Sequence, residues 1–238
     1  MKRILCGWMS GVLLCGSAAW AYDDGDWQLF LKAEAGGKTD CGLEPKVEQE
    51  LRYGDDMAEY YYTETYLSLG YKLTDWFKPV IGFAQIYERS NAARYQESGE
   101  EYSHKSDHYW KQEQNPRLDL YFSTKLKGWD VEDRVRMEYR DKDDDPSYMR
   151  YRNRIRVKSP WEWTSVKLNP YVAWEMNYED DSDKDAADRL NRHRLYAGIG
   201  AKLATQWKAG AYYMFEDNKK AGEGTSLNAV GFEWGATF

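Results

Sequence analysis

Two runs decide the fold: Asp130-Val-Glu-Asp-Arg-Val-Arg-Met-Glu-Tyr-Arg140 and, after an acidic break at 141–145, Tyr148-Met-Arg-Tyr-Arg-Asn-Arg-Ile-Arg-Val-Lys158. In the first, Val131, Val135, Met137 and Tyr139 alternate with Glu132, Arg134, Arg136, Glu138 and Arg140. In the second, Met149, Tyr151, Ile155 and Val157 alternate with Arg150, Arg152, Arg154, Arg156 and Lys158. Period two predicts two β-strands joined by a turn, each with an apolar and a charged face. Such strands fit a soluble sheet on a core, or a barrel whose apolar face meets lipid and whose charged face lines the lumen. A cation facing lipid near the midplane costs roughly 2–4 kcal/mol. A slip of one residue would turn five outward on one strand, so the register is strongly specified.

The flanks choose between the two environments. Met1-Lys2-Arg3, an apolar stretch from Ile4 to Leu14 and Ala19-Trp20-Ala21 predict a secretory signal peptide over 1–21, cleaved after Ala21. Cys15 follows Leu14, where a lipoprotein signal would carry a small residue. The segment is shorter than the ~20 apolar residues of a spanning helix, and nothing after residue 21 resembles one. Cleavage removes Lys2 and Arg3 but no acid, leaving 31 basic against 40 acidic residues, a balance of −9. Cys6 and Cys15 leave with the signal, so Cys41 remains alone and no internal disulfide is possible. An exported chain without a disulfide needs another source of cohesion, which a closed barrel supplies by pairing every strand edge. Aromatics make up 16% of the chain and charged residues 31%. That combination fits a polar lumen with aromatic girdles and excludes a disordered chain.

Read in order, the chain alternates Trp27, Leu29, Leu31 and Ala33 against Gln28, Phe30 and Lys32, and Gly36-Gly37 ends that run. Lys46 to Tyr53 follows. From Glu59 to Leu73, Tyr61, Thr63, Thr65, Leu67, Leu69, Tyr71 and Leu73 share one face; Tyr62, Glu64, Tyr66 and Ser68 share the other. A turn at Thr74-Asp75 leads to Phe77, Pro79, Ile81, Phe83 and Tyr87, and a polar break runs from Arg89 to about Gln112. Alternation resumes at Arg117 to Leu126, passes through the two opening runs, and returns at Val166 to Tyr178, Leu195 to Leu203, Trp207 to Phe215 and Val230 to Phe238. The expected architecture is all-β: an antiparallel transmembrane barrel of the outer membrane occupying 22–238, with short periplasmic turns and longer acidic extracellular loops. Ten strands from Lys46 close an even barrel, with twelve as the alternative. The segment 22–45 then holds an extra strand at Trp27 that pairs in the larger barrel or packs as an extension. The terminal Phe238 looks like the signal that outer-membrane barrels present to their assembly machinery, although Ala236 is small for that pattern.

The turn Leu73-Thr74-Asp75-Trp76, the run Arg134 to Arg140 with Glu138-Tyr139-Arg140, and Arg150-Tyr151-Arg152 resemble a group of bacterial outer-membrane barrels, the domain-of-unknown-function family numbered 2490. The resemblance spans nearly all of the mature chain. It implies the fold and the outer membrane as compartment, and it carries no functional residues.

The inward charges carry the functional expectation. Arg134, Arg136, Arg140, Arg150, Arg152, Arg154, Arg156 and Lys158 form a basic wall, with Glu48, Glu50, Glu64, Glu132, Glu138 and Glu175 as acidic partners. Arginine's planar fork suits carboxylate, sulfate or phosphate, and a cationic ring favours anions. The leading expectation is therefore a narrow porin-like channel or binding protein for small anionic solutes. Buried charges must be paired, and a small barrel is nearly filled by its side chains. The alternative is accordingly a structural barrel plugged by ion pairs, without transport. A third reading, a surface-loop hydrolase, rests on His104, Ser106, Asp107 and His108, with His193 elsewhere. Proximity in sequence is not a triad, so a solvated polar loop and no enzyme is expected. Asp181-x-Asp183-x-Asp185 begins like a calcium loop, but Ala186 replaces its glycine and Arg192 sits where the bidentate glutamate belongs. No metal, cofactor or nucleic-acid partner is expected; the partners are membrane lipid, the assembly machinery and small anions. Trp76, Trp129, Trp161, Trp163 and Trp207 cluster at short turns, as an interfacial girdle requires, and Cys41 is expected in a turn on that side.

Overall fold

The structure, a computed structural model, describes residues 25–90, 109–143, 145–180, 189–190, 192–220 and 223–238. The signal segment with its cleavage point, the cluster His104, Ser106, Asp107 and His108, and Asp181, Asp183, Asp185 and Ala186 lie outside the described residues. Eleven strands close into a barrel: β1 Asp26–Gly36, β2 Leu43–Gly54, β3 Glu59–Tyr71, β4 Phe77–Ser90, β5 Tyr109–Leu126, β6 Trp129–Lys142, β7 Tyr148–Lys158, β8 Asn169–Asp180, β9 Arg192–Lys202, β10 Trp207–Lys220 and β11 Glu223–Thr237. No helix among the described residues is long and apolar enough to cross a membrane, which says nothing of strands.

Neither ten nor twelve strands is correct. The Trp27 strand is neither an extension nor one of an added pair; it inserts between β2 and β11. It runs antiparallel to β2 and parallel to β11, from Asp26↔Leu227 to Gly36↔Thr237. An odd number of up-and-down strands must join two strands of the same direction where the sheet closes. Inserting β1 pairs the edges that β2 and β11 would otherwise expose. A second consequence is that Gly25 and the C terminus lie at opposite rims. The C-terminal rim carries the turns 37–42, 72–76, 127–128, 159–168 and 203–206. The N-terminal rim carries the turn 55–58 and the strand ends at Ser90, Tyr109, Lys142, Tyr148, Asp180, Arg192, Lys220 and Glu223.

Alternation holds nearly throughout. Leu67, Ile81, Val172, Leu195 and Phe232 project outward and stay exposed, while Glu138, Asp119 and Glu175 point into the barrel. The Lys127-Gly128 link has positive φ at both residues, the geometry of a two-residue hairpin that matches strand twist. Polar side chains on the outer face satisfy one another: the Gln49 amide donates to Thr63 and accepts from Thr65, both at 2.7 Å, and Asn153 donates to Asp133 at 2.6 Å. Trp76, Trp129, Trp161, Trp163 and Trp207 form an exposed aromatic ring at the C-terminal rim. Trp129 meets Trp161 edge-on at 5.5 Å between ring centroids.

Several strand ends differ from the sequence reading. Arg89 and Gln112 lie in strands, with Arg89↔Trp110 and Tyr87↔Gln112 in register, so that break shrinks to 91–108. Val166 and Leu168 precede β8, in a turn where Thr164 and Lys167 have positive φ. Tyr61 does not share the outer face with Thr63. The β2–β3 register shifts between Arg52 and Tyr53, skipping Tyr61, so Tyr61 and Tyr62 both turn inward. The Tyr61 hydroxyl then donates to Gln28 at 2.8 Å.

The interior is not wholly ionic. Tyr61, Tyr62, Tyr66, Ala84 and Ile86 form one apolar cluster and Phe30, Met214 and Ala229 another. Glycines make room for the inward tyrosines: a Cβ on Gly82 would lie 2.5 Å from the Tyr66 ring, and one on Gly231 would lie 2.0 Å from Tyr212.

Candidate binding basin and its arginine–carboxylate floor

The eight basic candidates come from the inner faces of β6 and β7. Period two and the hairpin register set Arg134 opposite Arg154, Arg136 opposite Arg152, Glu138 opposite Arg150 and Glu132 opposite Arg156. Two of those pairings are like-charged and need carboxylates from neighbouring strands. β5 supplies Asp119, register partner of Arg136, and β8 supplies Glu175, register partner of both Arg154 and Arg194 of β9.

The result is a cross-linked layer. Arg136 holds Asp119 with Nε–Oδ1 of 2.5 Å and Nη2–Oδ2 of 2.8 Å, and Arg117 holds Glu64 at 2.5 and 3.1 Å. Glu138 is bonded by Arg150 and approached by Arg117 and Arg152 at 3.4 Å and by Arg136 at 3.7 Å. Glu175 Oε2 accepts from Arg134 at 2.7 Å, and Oε1 accepts from Arg152 at 2.7 Å and Arg194 at 3.2 Å. Arg194 continues to Glu216 at 2.5 Å. Arg140 grips Glu113 at 2.6 Å through Nε, nearer the N-terminal rim. The side chains of Glu138 and Glu175 are 0% and 1% exposed. Multiply bonded carboxylates at such depth offset the desolvation that would forbid a lone charge.

Toward the C-terminal rim the layer gives way to a basin of about 770 Å³ that ends on Arg134, Arg136, Arg152 and Arg194. Fourteen lysines and arginines line it against seven glutamates, although the mature chain is expected to carry net negative charge. Its wall includes three of the eight candidates, Arg154, Arg156 and Lys158. The other five, Arg134, Arg136, Arg140, Arg150 and Arg152, are tied into the ionic layer or above it. Among the acidic candidates, Glu64, Glu138 and Glu175 belong to the layer. Glu48, Glu50 and Glu132 face the basin, paired with Lys32 at 2.9 Å, Arg52 at 2.6 Å and Arg156 at 3.0 Å.

Lys202 and Lys208 in the basin wall, and Glu113, Glu179 and Glu216 above the floor, were not among the expected inward charges. Glu113, Glu179 and Glu216 keep the inward parity of their strands but sit at the edges of polar or acidic stretches that read as loops; continuing the alternation up to four residues further would have found them. Arg192, which occupies the glutamate position of the calcium-loop spacing, lies in β9 and pairs with Glu216 at 3.2 Å. His193 lies on the outer face, stacked on Trp174. Among the described residues no group of three or more His, Cys, Asp or Glu side chains is placed to hold a metal ion. Cys41 is exposed in the β1–β2 turn, at the C-terminal rim as expected.

A search of curated proteins finds no match. The profile of the family described as "Protein of unknown function (DUF2490)" matches residues 27–226, and the chain belongs to that family.

Proposed function

We propose that this protein is an outer-membrane barrel closed across its middle, a one-ended receptacle for small anions that opens at the periplasmic face. The membrane setting is supported by the exposed apolar belt, by the tryptophans at one rim and by the signal-like start of the sequence. The observation that carries the receptacle reading is the contrast between floor and basin. Glu138 and Glu175 are sealed among arginines, whereas the space beneath has twice as many cations as acids in its lining. A permeating ion would have to break several charge-assisted bonds at once, each stronger than an ordinary hydrogen bond. A basin of this size lies within the usual range of small-molecule sites.

Reconstitution in a planar bilayer tests the reading. Membrane insertion without unitary current steps, in chloride and in organic-anion salts alike, is the expected result. Anion-selective steps that change when Arg152 is replaced by alanine would return the protein to the porin-like class.

A further inference from the structure

The ionic layer is not balanced on its basin side. Glu175 has two oxygens, and Arg134, Arg152 and Arg194 take both. Arg154 lies directly across the ladder from Glu175 yet is left out. It forms no ion pair among the described residues, and its Nε, like those of Arg134 and Arg152, is buried without a hydrogen-bond partner. Arg134 on its other side is a like charge. Lys158, four residues along β7 toward the rim, and Lys202 at the end of β9 also form no ion pair or side-chain hydrogen bond among the described residues. All three line the same basin. Most other basic side chains there do have carboxylate partners: Arg156 pairs with Glu132, Lys46 with Glu48, and Lys208 with Glu34. Arg154, with a buried nitrogen beside a saturated carboxylate, is the cation a counter-anion from outside the chain would stabilise most, and the half-buried Lys158 and the exposed Lys202 add positive charge toward the mouth.

We infer that the basin takes a small anion with two or more acidic groups, one seated on Arg154 at the floor and another reaching Lys158 and Lys202 nearer the mouth. Successive inward residues of one strand are about 6.6 Å apart, so Arg154 and Lys158 span about 13 Å along β7. Their long side chains can close on a ligand between them, and a ligand with two acidic groups offers each cation its own counter-charge. Tyr171, register partner of Lys158, lies flat against Gly198, where a Cβ would fall 2.5 Å from its ring. Arg156, between the two cations on the same face, sits over that ring and is held by Glu132. Organic phosphates and polycarboxylates share the required chemistry. The inference rests on the receptacle reading and names the ligand class of that site.

The test is calorimetric titration of the full-length barrel in neutral detergent with pyrophosphate, citrate and acetate as probes. Pyrophosphate or citrate should bind at least tenfold more tightly than acetate, and whichever is tighter identifies phosphate or carboxylate as the preferred group. Arg154→Gln and Lys158→Gln should each weaken binding tenfold or more, whereas Lys125→Gln, at the exposed end of β5 and outside the basin lining, should leave it unchanged. Heat-modifiable migration on a gel reports whether each variant is folded. Equal affinity for acetate and the multivalent probes, no binding of any probe, or binding indifferent to Arg154→Gln and Lys158→Gln in folded protein would each overturn the inference. Failure of the receptacle reading looks different: current steps in the bilayer while pyrophosphate or citrate still binds through Arg154.

Discussion

Arg136 and Asp119 meet as a fork on a fork across the β5–β6 ladder, with Nε and Nη2 at 2.5 and 2.8 Å from the two carboxylate oxygens. Both side chains are almost wholly buried. Removing one partner of such a pair leaves an uncompensated charge and costs on the order of 3–5 kcal/mol, whereas replacing both by apolar groups of similar volume is often close to neutral. Asp119→Asn should therefore lower the urea midpoint of the detergent-solubilised barrel strongly. The double variant Asp119→Leu, Arg136→Met should recover most of the loss. A double variant weaker than the single one would show that the pair stabilises beyond neutralising itself.

Glu138 and Glu132 lie on the same strand and the same face, and their replacement should have very different consequences. Four arginines surround Glu138, whose side chain is 0% exposed. Glu138→Gln removes the charge that holds them together, and a loss of about 4 kcal/mol or more is expected from an unpaired buried cluster. Glu132 has one partner, Arg156, and its side chain is 26% exposed. Glu132→Gln should cost no more than about 1 kcal/mol, as partly solvated ion pairs do. Folding yield and denaturant midpoints of the two variants, prepared in parallel, decide it.

The extent to which this arrangement could be read from the chain follows from the physics of each feature. Strict alternation across Arg134 to Lys158 gives the strands, their phase and their inward charges, because a side-chain period of two leaves one register that keeps every charge on the same face. The pairing of Glu175 with arginines of β6, β7 and β9 depends on three inter-strand registers, and no local pattern encodes those. Tyr61 fails for a related reason: a bulge is a mismatch between two strands, invisible in either one alone. The count of eleven was missed because the alternation of Trp27 to Ala33 is compatible with either an even or an odd closure. What inserts β1 is its fit to both β2 and β11.

The glycine–tyrosine contacts inside the barrel give a packing prediction. A Cβ at Gly231 would fall 2.0 Å from the Tyr212 ring, across the β10–β11 ladder. Gly231→Ala should destabilise by about 1–3 kcal/mol, the usual cost of overpacking. Adding Tyr212→Ala to that variant should cost less than Tyr212→Ala costs in the wild-type chain, since the two then no longer compete for space. A double-mutant cycle with zero coupling would mean that Tyr212 swings away freely.

The parallel seam can be tested by chemistry at two places. Leu31 and Phe232 are register partners across β1 and β11, both on the outer face. In a Cys41→Ser background, Leu31→Cys with Phe232→Cys should form an intramolecular disulfide on mild oxidation, whereas Leu51→Cys on β2 with Phe232→Cys should not. The native Cys41 serves the second test. The Thr39 hydroxyl, 3.1 Å from its sulfur, holds the thiol below the usual cysteine range, which favours labelling near neutral pH. β1 crosses the wall between them, so Gly25 and Cys41 lie at opposite rims, and the proposed orientation turns Cys41 toward the periplasm. An epitope inserted before Gly25 should accordingly be reached by antibody on intact cells, while a membrane-impermeant maleimide should reach Cys41 only after the outer membrane is permeabilised. A β1 that packed as an extension outside a ten-strand wall could leave both markers on one side. Equal access to the two before permeabilisation, or to neither, would therefore remove β1 from the wall.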